Sequence, residues 1–289
     1  MSPIIYEKKD RIAFITINRP ERRNALSFEA FGLLAKAWLD FRDDPDLWVA
    51  IITGAGDKAF CAGGDLKEFI PMVTGQIQEL AASDARAAGS SDARAAGLSG
   101  GTQTIGNGDV PANAALVAVL REVEIFKPII AAVNGFCIAG GMEMLQGTDI
   151  RIASENASFG IGEPRRGLFP GGGSTVKLPR QISYCQAMEI LLTAEPISAQ
   201  KAYDYGIVNA VVPPDQLMPT AIRYAELICQ NGPLAVRKVK ESALKGLALP
   251  YKEALDQEMA YSGEIFSTED AMEGILAFQE KRKPNWKGR

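Results

Sequence analysis

A chain of 289 residues, 47% of them hydrophobic, can bury a large core, which excludes a disordered chain and admits one large domain or two smaller ones. A net charge of −4 sets long-range electrostatics against nucleic acid and anionic membranes. Histidine is absent, which removes Ser-His-Asp, Cys-His and His-metal chemistry and leaves acid-base work to carboxylates, lysine, tyrosine or cysteine.

From the N-terminus, Met1 to Tyr6 shows no basic region followed by an apolar stretch, and no run nears the roughly 18 apolar residues of a membrane span, so a soluble cytoplasmic protein is expected. Ile12 to Ile17 is a β-branched and aromatic run stopped by Asn18-Arg19-Pro20, which predicts a strand entering a loop. Ser27 offers an N-cap, and Phe31, Leu34, Trp38 and Phe41 recur at helical spacing, predicting an amphipathic helix that ends before Pro45. Strands are predicted at Trp48 to Thr53, at Pro128 to Gly135 (apolar throughout, as for burial on both faces), at Asp149 to Ser154 and at Ile207 to Val212. A helix is expected to start near Gly140. Strands alternating with helices imply an α/β core.

After Pro214 the pattern turns helical, with helices near residues 216–229, after Pro233, near 251–264, and a last one capped by Ser267 with Asp270 three residues on. The expected division is a core over 1–212 and a C-terminal helical region over 213–289. Within the core, residues 71–112 stand apart: Ser83-Asp84-Ala85-Arg86-Ala87-Ala88-Gly89 recurs as Ser91-Asp92-Ala93-Arg94-Ala95-Ala96-Gly97, and Gly- and Ser-rich sequence follows. This composition predicts a mobile insertion, placed as a flap over a pocket would be. Cys61, Cys137, Cys185 and Cys229 lack the close pairs of zinc or redox motifs and sit in apolar sequence, so buried free thiols are expected.

Two loops carry the chemistry. In Phe60-Cys61-Ala62-Gly63-Gly64-Asp65-Leu66-Lys67, small residues follow a strand, so a ligand can approach the main chain and the Gly64 amide is free to donate. In Gly135 through Glu143, small residues again lead from strand to helix and put the Gly140 amide at a positive helix end. Two such amides aimed at one oxygen make an oxyanion hole, although close helix-strand packing explains Gly140 and Gly141 equally well. Glu143 falls in the first turn of that helix among Met142, Met144 and Leu145, where a carboxylate has a raised pKa or a specific partner. Glu163 lies in a Gly- and Pro-rich stretch, Phe159 to Gly171, too irregular for regular structure, where it either serves a site or pairs with Arg165 or Arg166.

At these residues the chain resembles the crotonase superfamily of enoyl-CoA hydratases and isomerases over nearly its whole length. The matching pieces are Asn18-Arg19-Pro20 with Asn24-Ala25-Leu26, Phe60 to Lys67, Ala132 to Glu143, Asp149 to Ala153, Phe159 to Gly173, Ala202 to Asn209 and Gly274 to Lys283. The resemblance implies an α/β spiral of β-β-α turns whose C-terminal helices assemble trimers, usually a dimer of trimers (a hexamer). It implies a thioester oxyanion hole at the Gly64 and Gly140 amides, and fatty acid metabolism as the setting. Hydratases of this kind use two glutamates, at the Glu143 and Glu163 positions, whereas related isomerases keep one at the latter. This chain has both, so reversible hydration of a 2-enoyl-CoA is expected, with water activation chiefly on Glu143, α-carbon protonation on Glu163, and no metal or redox cofactor. Isomerisation, hydrolysis or decarboxylation of a thioester is the alternative.

By the same comparison Arg22, Ala25, Leu26 and the stretch Ala62, Gly63, Gly64, Asp65, Leu66 lie where the family binds the adenine and pantetheine of CoA, with Lys67 adding charge. Lys281 matches a lysine that reaches the CoA of a neighbouring subunit. The acyl pocket would be shaped by Phe69, Met72, Phe136, Leu168, Phe169 and the insertion. Departures from the family pattern are Gly162 before Glu163 with Pro164-Arg165-Arg166 after it, and Leu145-Gln146-Gly147-Thr148 behind Glu143. An RNA-binding role is disfavoured by the acidic balance, and Lys238, Lys240 and Lys245 read as an ordinary solvated face.

Overall fold

The computed structural model describes residues 1–68 and 113–289. The expected insertion at 71–112 and the pocket residues Phe69 and Met72 lie outside the described residues.

β1 (Ile4–Lys9) and β2 (Ile12–Ile17) form an antiparallel hairpin, and β2 pairs in parallel with β3 (Val49–Gly54), Ala13 opposite Ala50. The helix Phe28–Asp43 lies between them in sequence; Ser27 is in extended conformation and its Oγ accepts the Ala30 amide at 3.2 Å, the cap its sequence promised. From β3 to β8, consecutive strands alternate between two sheets. β3, β5 (Ile129–Val133), β7 (Ile150–Ser154) and β10 (Ala210–Val212) extend the first, ordered β1-β2-β3-β5-β7-β10. β4 (Ala59–Cys61), β6 (Phe136–Ile138), β8 (Ser158–Gly160) and β9 (Ile197–Ser198) make the second, ordered β4-β6-β8-β9. Each turn of the chain therefore adds one strand to each sheet, which is the expected β-β-α spiral.

The parallel strands are apolar on both faces, as their unbroken hydrophobic runs require. Alternation assigns the residues to two cores: Ala50, Ile52, Ile129, Ala131 and Val133 face one side with Phe31, Leu34, Trp38 and Phe41, whereas Val49, Ile51, Ile130, Ala132 and Ile152 face the other. The second core is closed by Leu217, Ala221 and Ala225 of the helix Leu217–Cys229. Pro233–Gly246 and Tyr251–Phe266 pack on each other, and Glu269–Gln279 follows.

Four expectations need correction. The last helix is capped by Thr268, whose Oγ1 accepts the Ala271 amide at 3.1 Å; Ser267 is the C-cap of the preceding helix, and its Oγ donates back to the Glu264 carbonyl. Asp270 instead accepts the Lys287 and Gly288 amides at 2.7 and 2.8 Å. The stretch from Phe159 is not wholly irregular, since Ser158–Gly160 pairs with β6. Cys61 and Cys137 are buried free thiols, but Cys185 is exposed and Cys229 only half-buried. The lysines of Pro233–Gly246 are not freely solvated: Lys240 bridges Asp149 (2.7 Å) and the Lys127 carbonyl (3.0 Å), and Lys238 and Lys245 both pair with Glu241. Among the described residues no helix is long and apolar enough to cross a membrane.

Candidate active site

β4, β6 and β8 are neighbouring parallel strands, so the chain leaving their C-terminal ends emerges on one edge of the second sheet. That edge collects Gly64 after β4, Gly140 and Glu143 after β6, and Glu163 after β8.

Gly64 forms an isolated parallel bridge with Leu26, in which the Leu26 amide bonds the Gly63 carbonyl (2.8 Å) and the Asp65 amide bonds the Leu26 carbonyl (2.8 Å). This pattern leaves the Gly64 amide unused, pointing to the other side of the bridge. Gly140 is the first residue of the helix Gly140–Leu145, where an amide has no intrahelical partner. Ala139 before it adopts φ 54° and ψ −125°, a strained conformation for a residue with a side chain, held by a 3.0 Å bond from its amide to the Gly160 carbonyl. The two loops touch. A methyl on Gly140 would lie 3.8 Å from the Gly64 nitrogen, and one on Gly141 would lie 2.2 Å from the Cys61 carbonyl oxygen. Gly63, at φ +90°, would place a methyl 2.8 Å from the Ala139 Cβ. Small residues are thus demanded by contact, and the contact brings two unsatisfied donors side by side.

Glu143 is 6% exposed, one turn into that helix. The Gly172 amide donates to its Oε1 at 2.5 Å, and a side chain on Gly172 would sit 2.2 Å from Oε2. Burial, then the charge of Glu163, pushes the Glu143 carboxyl up to about 7, while the Gly172 amide, Lys177 and Arg121 oppose the rise. Glu163 precedes the short 3₁₀ turn Pro164–Arg166, half-buried, and its Oε2 has no hydrogen-bond partner. Burial raises its pKa too, against its own amide, Arg166 and the Gly162 amide. The pairing of Glu163 with Arg165 or Arg166 does not form: Arg165 pairs with Glu195, and the Arg166 Nη1 donates to the Gly162 carbonyl at 3.0 Å. Two carboxyls whose pKa values are both raised by burial, Glu143 to about 7 with the charge of Glu163 adding to the rise, beside two free amides, can move protons at a carbon next to a carbonyl.

The other candidate residues line up along the Leu26–Gly64 bridge. Arg22 ends the turn Pro20–Arg22 with an exposed side chain, and its carbonyl accepts the Ala25 amide; the Ala62 amide bonds the Arg23 carbonyl at 3.2 Å. Leu66 and Lys67 are exposed. Asp65 is engaged by Arg19 at 3.1 Å, and Arg19 also donates to the Ala25 carbonyl at 2.6 Å, so this aspartate fastens the rim together. Lys281 lies apart in sequence, after the last helix, with its amide bonded to the Phe278 carbonyl and its side chain exposed. Residues whose part was not read from sequence are Gly172, Lys177, Arg121 and two buried loop pins. Asn24 donates to the Ala55 and Ala59 carbonyls, and Asn134 donates to those of Gly54 and Gly56. The asparagines and Gly172 stand in motifs already singled out; nothing local marks Lys177 or Arg121.

The family model described as enoyl-CoA hydratase/isomerase matches residues 7–86 and 106–289. The chain belongs to this family. It is 39% identical to the enoyl-CoA hydratase EchA19 of Mycobacterium tuberculosis, over 99% of this chain and 96% of that one. It is 37% identical to a crotonyl-CoA hydratase of Syntrophomonas wolfei, over 98% and 97%. The crystal structure of an enoyl-CoA hydratase from Bacillus anthracis superposes with a TM-score of 0.84 at 33% identity, covering 99% of this chain and all of that one (100%). The crotonase resemblance and the spiral fold read from the sequence are both borne out.

Proposed function

We propose that this family member is an enoyl-CoA hydratase that reversibly adds water across the double bond of a 2-enoyl-CoA to give a 3-hydroxyacyl-CoA. The observation that carries the reading is the pair of carboxyls, buried Glu143 and half-buried Glu163, both with raised pKa values, set beside the two acceptor-less amides of Gly64 and Gly140. The thioester oxygen accepts from both amides. Glu143 takes a proton from water as the water oxygen bonds the β-carbon, the π electrons move to the α-carbon and into an enolate held by the amides, and Glu163 delivers its proton to the α-carbon. Glu143 ends protonated and Glu163 ionised, and proton exchange between them resets the pair. The two carboxyls do all the acid-base work, so the reading calls for no metal or redox cofactor.

The rim of Arg22, Ala25, Leu26, Ala62, Gly63, Asp65, Leu66 and Lys67 receives the adenine and pantetheine of CoA, with Lys281 supplied by a neighbouring subunit. A trimer or dimer of trimers is supported by the apolar side chains left exposed on the C-terminal helices: Leu247, Tyr251, Met259, Phe266 and Phe278 are 79, 81, 73, 75 and 86% exposed. Four unpaired thiols suit a reducing compartment such as the cytoplasm. Loss of the conjugated absorbance of crotonyl-CoA tests the reading: hydration is expected in the native protein and abolished by Glu143→Gln and by Glu163→Gln. A native protein inert toward short, long, branched and cyclic enoyl-CoAs would overturn it.

A further inference from the structure

The Gly172 amide reaches Glu143 from a turn of three glycines, Gly171-Gly172-Gly173, which has no side chain of its own to hold it in place. What holds it lies behind the site. Gln146 is the C-cap of the helix Gly140–Leu145, one turn beyond Glu143, and is 3% exposed. Its Nε2 donates to the Ser174 Oγ at 2.9 Å, and its backbone carbonyl accepts the Gln181 Nε2 at 2.8 Å. Ser174 and Gln181 are the first and last residues of the helix Ser174–Gln181, so one glutamine clamps both ends of the element that follows the glycine turn. Gln181 in turn accepts from the buried Arg151 at 3.0 Å. On the solvent side, the Arg121 Nη1 donates to the Gly171 carbonyl at 2.6 Å.

We propose that Gln146 and Ser174 are a positioning pair for the hydration step: their hydrogen bond keeps the glycine turn at the depth where the Gly172 amide stays on the Glu143 carboxylate. The inference rests on the reading of Glu143 as a hydratase base. A purely stabilising role fits poorly, because the Gln146 Oε1 is buried with no partner and a buried unpaired oxygen costs stability. The charged groups that face Glu143 are Glu163 from the loop after β8, Lys177 from the helix Ser174–Gln181 and Arg121 from the segment before β5, and none of them is altered by substituting the pair. The Gly172 amide donates to the ionised carboxylate and so favours it. Releasing the turn therefore raises the pH at which Glu143 gives up its proton.

The test compares Gln146→Leu, Ser174→Ala and the double variant with the native protein. The infrared band of the buried protonated carboxyl, assigned by its loss in Glu143→Gln, gives the titration without turnover; the pH profile of kcat with crotonyl-CoA gives the second readout. The titration and the acid limb are expected to move up by about half a pH unit or more, a loss of about threefold on the acid side of the titration. Alkaline kcat should stay within about twofold of native, and the double variant should match the singles. Ser174→Thr, which keeps the acceptor oxygen, should return the titration toward its native position. An unmoved titration in both single variants, losses that add in the double, or an equal loss of kcat at every pH with a lowered Tm would overturn the proposal. If Gln146→Leu does not fold, Ser174→Ala alone decides. A native protein without hydratase activity would instead overturn the reading of the reaction, and the infrared titration would still judge the pair.

Discussion

The two sides of the cleft hold their carboxyls by different means. Glu143 stands on a helix, nearly sealed from solvent, with an amide on one oxygen and two cations in reach. Glu163 stands at the start of a short turn, half-buried, with one oxygen unbonded, and its charge is favoured by its own amide, the Gly162 amide and one arginine, Arg166. Both carboxyls are pushed toward protonation by burial and both have amides and positive charge that favour the ionised form, but Glu143 has two cations set against its protonation, Lys177 and Arg121, where Glu163 has Arg166 alone. A base must lose its proton before it can accept one from water; an acid needs only to keep its own until the carbon is ready. The extra cation sits on the side that has to be ionised first.

The largest effect that tests this division is the loss of either carboxylate, since Glu143→Gln and Glu163→Gln are each expected to lower kcat by about 10²- to 10⁴-fold with little change in KM. A Glu163→Gln variant that kept most of its activity would break the division, because the site would then run on one carboxylate. Next comes Gly63→Ala, which forces a side chain into a positive-φ position 2.8 Å from the Ala139 Cβ and disturbs the amide pair without touching the acids. It should cost about 10- to 100-fold in kcat and leave the pH profile in place. Gly172→Ala drives a methyl against the Glu143 carboxylate and removes its amide donor. Native kcat/KM should rise with pH through about 7 as Glu143 ionises, and in this variant the rise should come at higher pH, with about a tenfold loss near neutrality. The smallest effects sharpen the comparison best. Arg121→Met should move only the limb that belongs to Glu143, and Arg166→Met only that of Glu163, each upward by about a few tenths of a pH unit because both cations are exposed to solvent.

How much of this was legible follows from how far each signal reaches along the chain. Long apolar runs such as Ile129–Val133 and the spaced aromatics of Phe28–Asp43 announced their elements because burial imposes a period on many residues at once. β4, β6 and β8 have three residues each and β9 two, too short for any period, although they place the whole site. Glu143 and the amide loops could be read because small residues and a carboxylate fall within a few positions of one another. The Gly172 donor is 29 residues from Glu143, and only the folded spiral brings it there. The cap at Thr268 rather than Ser267 shows the same limit at short range, since either side chain suits the position and the preceding helix, by taking Ser267 as its own C-cap, chooses between them.

The touching glycine loops have a consequence for how such a protein can change. The spacing of the Gly64 and Gly140 amides is set by atoms in contact, Gly141 against the Cys61 carbonyl and Gly63 against Ala139, so it works as a mechanical gauge, indifferent to pH or salt. The carboxyls nearby are a chemical dial, turned by single donors and charges around them. A lineage can retune its acid-base chemistry one substitution at a time while the grip on the thioester stays the same width.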